Sequence, residues 1–175
     1  CAVYVARMRD VPQKRDPASD FTFYMFLARF RESNFVKFVA FAAALMFASY
    51  LAAPFFAVFM LRDLQFGYLQ YMVLQVLSTA AGLVALPLWG RHADAVGNAR
   101  VLRLTGFFAC LIPLLWLVSR NAVYLACVQM FAGFMWSGFG LCATNFIYDA
   151  VTPQKRVRCI SYFQVLNGAA IFLGA

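Results

Sequence analysis

Charged residues fall in clusters along this chain, and the stretches between the clusters are long and apolar. No Asp, Glu, Lys, Arg or His occurs in residues 38–61, 68–90, 104–119, 121–148 or 160–175. A hydrocarbon layer about 30 Å thick is crossed by about 20 apolar helical residues. The pattern therefore predicts membrane helices near 36–61, 68–89, 101–118 and 122–148, and a fifth from about 160 to the end. The third is short for a full span, and the first and fourth are long enough to tilt. The fold class is all-α, a polytopic transmembrane bundle of four full helices and a truncated fifth over residues 36–175.

The first 35 residues follow a different pattern. Residues 1–6 resemble the end of a preceding membrane helix, and residues 7–20 are polar, with Pro12 and Pro17, as in a cytoplasmic linker. Asp20 can cap a helix starting at Phe21, because its carboxylate can accept from the first free backbone N–H groups. The stretch 21–35 is too short and too charged to span. Phe23, Phe26, Leu27 and Phe30 share one face, with Arg31 and Glu32 off it, as in an amphipathic helix lying at the interface. An extension of the first membrane helix into the cytosol fits the same residues equally well. The chain starts at Cys1 and ends at Ala175 inside an apolar run, so the expectation is a fragment of a longer polytopic protein.

Composition agrees with the pattern. The chain is 64% hydrophobic and 13% charged, against about 45–50% and 25% in soluble domains. The net charge is +8, and its placement is more telling than its size. With helices that alternate in direction, every basic residue except Arg62 and Arg120 falls on one side. Basic loops favour the cytoplasmic face, so the N-terminal segment is expected inside, in a plasma membrane (cytoplasmic or inner). The same rule accounts for the positive charge without nucleic acid as a partner; the lipid bilayer is the partner it implies.

Candidate chemistry is sparse. The five cysteines (Cys1, Cys110, Cys127, Cys142 and Cys159) have no metal-like spacing and read as small hydrophobes. Nothing calls for a metal or another cofactor. Pro54, Pro87 and Pro113 each remove a backbone donor inside a predicted helix; kinks are expected at Pro54 and Pro113, and a position near a helix end suits Pro87. Gln129, Gly133, Ser137, Gly140 and Thr144 recur at helical spacing on one face of the fourth helix. Gln75, Thr79 and Gly82 repeat the pattern on the second, and Gln164, Asn167 and Gly168 on the fifth. Small residues let membrane helices approach closely, which explains such faces by packing alone. An amide in hydrocarbon is expensive without a partner or water, so three such faces also suggest a shared polar interior. The candidate cavity residues are Gln75, Gln129, Trp136, Gln164 and Asn167, with Tyr50 beside them.

Residues 90–102, between the second and third helices, carry the most specific signal. The chain resembles the C-terminal half of a transporter of the major facilitator superfamily, whose loop motif reads Gly-x-x-x-Asp-(Arg/Lys)-x-Gly-(Arg/Lys)-(Arg/Lys). Gly90, Asp94 and Gly97 match at that spacing. Ala95, Asn98 and Ala99 depart from the basic positions, and Arg100 stands one residue late. A degenerate copy resembles the second-half version, which would make these helices seven to eleven of twelve, running from the central loop to the eleventh helix. The resemblance implies a secondary active transporter of a small solute working by alternating access, with six-helix halves rocking about a midplane site. It also implies that Asp94 latches onto a helix N-terminus, whose partial positive charge stabilises an anion, in a missing N-terminal half of the same polypeptide. Gly90 and Gly97 would then provide tight turns and close helix approach.

Two other classes compete. A membrane scaffold or receptor would show a cavity without polar lining. An intramembrane enzyme needs catalytic groups at membrane depth, and the only histidine, His92, lies in the basic loop.

Overall fold

Each uncharged run folds into a long helix, because a backbone out of reach of water must pair its own N–H and C=O groups. The computed structural model describes residues 33–175. Helix α1 spans Asn34–Val58 and continues into a π-helical turn, Phe59–Asp63; α2 spans Tyr68–Val96, α3 Asn98–Leu115, α4 Ala122–Ala150 and α5 Pro153–Gly174. All five are long and apolar enough to cross a membrane, α1 taken together with its π turn. Among the described residues there is no strand. The linker expected over 1–20 and most of the interfacial helix expected over 21–35 lie outside the described residues. Asn34 and Phe35 belong to the first turn of α1.

The helix ends depart from the sequence reading in ways that local chemistry explains. The segment 90–102, expected as a loop, is helical on both sides of a single residue. Gly97 has φ +92° and ψ 143°, a state that a Cβ disfavours, and there α2 ends and α3 begins. Helix α5 starts at Pro153, seven positions before the expected 160, since proline at the first turn has its φ set in advance and lacks only an N–H that would be free anyway. Asn121 caps α4, its Oδ1 accepting from the backbone N–H of Val123 at 2.8 Å. The backbone N–H of Gly67 donates to Gln70 Oε1 at 3.1 Å at the start of α2. The proline expectation fails at two positions, with Pro87 well inside α2 and Pro113 two residues before the end of α3, whereas Pro54 lies inside α1.

Helices α2 and α4 pack along most of their length, and α3 lies against α4. The α2–α4 crossing is set by missing side chains. A Cβ on Gly133 would fall on the Ser78 carbonyl oxygen, one on Gly82 would come within 3.2 Å of the Gly133 carbonyl oxygen, and one on Gly138 within 2.7 Å of the Trp89 indole. Trp89 then donates through Nε1 to the Phe134 carbonyl at 2.7 Å. Helix α1 packs chiefly on α5, where a Cβ on Gly174 would lie 2.6 Å from the Phe47 carbonyl oxygen. Aromatic rings link the two groups. Phe38 meets Phe146 of α4 at 4.8 Å and Phe163 of α5 at 5.6 Å between centroids.

Two of the three cysteines expected as buried hydrophobes inside helices, Cys110 and Cys127, are exposed on the bundle surface; Cys142 is buried, and so is Cys159.

Candidate functional site

The apolar side chains that α1 buries all come from its first half, Phe35 to Leu45. Its second half opens onto a cleft of about 450 Å³. Helix α1 contributes Met46, Ser49, Tyr50 and Phe56, and the π turn after it Met60; α2 contributes Tyr71, Gln75 and Ser78; α3 contributes Ile112 and Pro113, with Trp116 just past its end; and α4 contributes Gln129, Ala132 and Trp136. In each helix these residues lie on the half remote from the basic segments around Arg91–Arg103 and Lys155–Arg158. Towards that basic end the bundle is filled. Val39, Val101, Thr105, Phe139 and Cys142 are almost fully buried there, and Phe41 meets Phe139 at 6.4 Å between centroids.

Four of the six residues proposed from polarity and spacing share this cleft: Tyr50, Gln75, Gln129 and Trp136. Gln164 and Asn167 do not line it. Gln164 is exposed on α5, and Asn167 is buried with its Oδ1 unpaired among the described residues. The three small-residue faces therefore do not converge on one interior; those of α2 and α4 meet, and that of α5 stands apart. The face on α4 divides along its length, with Gln129 in the cleft, Gly133 and Ser137 against α2, and nothing within 4 Å of a Cβ on Gly140.

No lining residue carries a charge. Gln75 donates through Nε2 to the Tyr71 hydroxyl at 3.1 Å, and Ser49 donates to the Leu45 carbonyl at 2.7 Å. The Gln129 amide and the Tyr50 hydroxyl make no hydrogen bond among the described residues. Trp116 is braced by Phe56 at 5.0 Å and Phe59 at 6.3 Å, and Trp136 by Phe139 at 5.7 Å. Sequence reasoning missed Tyr71, Ser78 and Trp116. Tyr71 lies one turn before Gln75 and so on the same face; Trp116, at the end of α3, had no polar neighbour to mark it.

The basic end has its own polar contacts. Asn98 Nδ2 donates to Asp149 Oδ2 at 2.6 Å, which ties the start of α3 to the end of α4. The Arg156 guanidinium donates to the Tyr148 carbonyl at 3.1 Å and sits 4.8 Å above the Tyr148 ring. Asn98 was read as a departure from a basic position; it is the residue of the segment that reaches another helix. Asp94 and Arg100 are exposed, and Asp94 has no hydrogen-bond or ion-pair partner among the described residues. Gly90 lies inside α2 with nothing within 4 Å of a Cβ. Gly90 makes neither a turn nor a close approach among the described residues, whereas Gly97 does make the turn. Among the described residues, no group of three or more His, Cys, Asp or Glu side chains is placed to hold a metal ion.

A family model of the Major Facilitator Superfamily matches residues 3–175. The chain belongs to the major facilitator superfamily. No curated protein and no solved structure matches it. Membership and the five spanning-length helices make it an integral membrane protein of a transporter family. Gly90, Asp94 and Gly97, the residues that resemble the superfamily's loop motif, lie in the last turns of α2 and at its junction with α3 rather than in an extended loop.

Proposed function

We propose that the chain forms the second half of a secondary active transporter, which moves a small solute by alternating access. The observation that carries this reading is the cleft: it lies between α1, α2, α3 and α4, holds uncharged polar groups, and is filled towards the basic end. A scaffold has no use for an amide such as Gln129, without a partner among the described residues, in a membrane-spanning helix. In this reading the basic end faces the cytoplasm, the membrane is the plasma (cytoplasmic or inner) membrane, and a first half of the same polypeptide supplies the facing wall. Asp94 is the latch to that half, held at a helix N-terminus by the dipole, which agrees with its exposure in this bundle.

Two single-cysteine reporters test the reading, Ala53→Cys in the cleft and Thr144→Cys, exposed nearer the basic end on the α4 face that carries Gln129. Their alkylation rates should move in opposite directions as the transporter cycles. Asp94→Asn should shift the balance towards Thr144→Cys. Rates that rise and fall together, or a cysteine at position 144 that never reacts, would sink alternating access.

A further inference from the structure

We infer from the cleft wall the class of molecule carried: an uncharged, flat amphiphile, with a ring system and a polar group that both donates and accepts hydrogen bonds. The inference rests on the transport reading above. The wall that α1 to α4 contribute offers no carboxylate, ammonium, guanidinium or imidazole among the described residues, so an ion lying against it loses hydration and gains no counter-charge from this side. It also offers polar atoms that a pure hydrocarbon would leave unmatched. The Gln129 amide and the Tyr50 hydroxyl make no hydrogen bond among the described residues, and Gln75, with one N–H given to Tyr71, keeps a carbonyl oxygen and a second N–H. A ligand that displaces water from these cleft-facing groups has to replace its hydrogen bonds, which calls for both a donor and an acceptor.

The flat face follows from the rings. Trp136 is half-buried and held by Phe139, so stacking on it loses little side-chain freedom; Trp116, almost wholly buried, adds a rigid part of the wall. A planar ring gains an offset or edge contact there, while Met46 and Met60 adapt to its outline. A polyol fits poorly. Each hydroxyl needs a partner, and the Ser49 hydroxyl is already committed to its own helix.

The test uses the full-length transporter in proteoliposomes with a single cleft cysteine, Ala53→Cys, and a second reporter, Ala57→Cys, in case the first perturbs folding. Alkylation by N-ethylmaleimide is timed with naphthalene-2-carboxamide, naphthalene-2-carboxylate, naphthalen-2-ylmethylammonium or sucrose present. The carboxamide should slow alkylation at both reporters, and the two ions and sucrose should leave it unchanged. Gln129→Leu should raise the half-protecting carboxamide concentration roughly tenfold, the loss of one well-made hydrogen bond. Equal protection by either ion, stronger protection by sucrose, or protection by none of the four overturns the ligand class. If none protects while positions 144 and 53 still alternate, the transport reading survives and the ligand class does not. Carboxamide protection without alternation keeps the ligand class and removes the transport reading.

Discussion

Gly97 and Gly90 sit seven residues apart in one motif and do different things. Gly97 carries the backbone at φ +92° between two helices. Gly97→Ala is expected to lower stability by about 1–3 kcal/mol, the usual range for a non-glycine residue held in such a region. Gly90 is ordinary α-helix with open space around it, so Gly90→Ala should raise stability by about 0.5–1 kcal/mol as backbone freedom in the unfolded chain is reduced. Thermal unfolding in detergent separates the two, and shifts of the same sign would contradict the assignment. The sequence alone offered two equivalent glycines, because spacing reveals a motif but not the φ at each of its positions. Asn98 makes the same point from the other side. Its amide meets Asp149 across 51 positions of chain, and no local pattern announces a contact of that range.

Among the helices, the α2–α4 pair is the most closely fitted. Gly133 and Gly140 lie on one face of α4, and both were legible as a small-residue stripe. Gly133 touches the α2 backbone at Ser78, and Gly140 touches nothing within 4 Å of a Cβ. Gly133→Ala is therefore expected to destabilise the bundle by about 1–3 kcal/mol through overpacking, and Gly140→Ala should not destabilise it; unfolding midpoints of the two variants decide. Helix existence and type were legible throughout, because charge-free runs of this length leave the backbone no other arrangement in lipid. Helix ends were less so. The polar residues from Arg91 to Val96 look like a loop by hydropathy, yet nothing there breaks a helix until Gly97. Pro87 was misplaced for the same reason: extending α2 to Val96 turned a residue near an end into an interior one.

On the scale of the whole molecule, the orientation follows from charge and is open to direct test. Cysteines introduced at Leu64 and Ser119 should react with a membrane-impermeant maleimide from outside the cell, and one at Val96 should react only after permeabilisation. The reverse pattern would invert the proposed topology. The cleft was half legible. Amides at helical spacing pointed to Gln75 and Gln129, since polar groups stand out against apolar runs. Gln164 and Asn167 lie outside that cleft, because a shared face says nothing of which neighbour a helix turns it towards. That pairing also distributes the resistance to movement unevenly. Parting α2 from α4 would undo a fit at the level of the backbone, with the Trp89 hydrogen bond broken as well. Sliding α1 and α5 past α4 would disturb ring contacts among Phe38, Phe146 and Phe163 without breaking a fit at the level of the backbone. The first seam is therefore expected to resist shear more than the second.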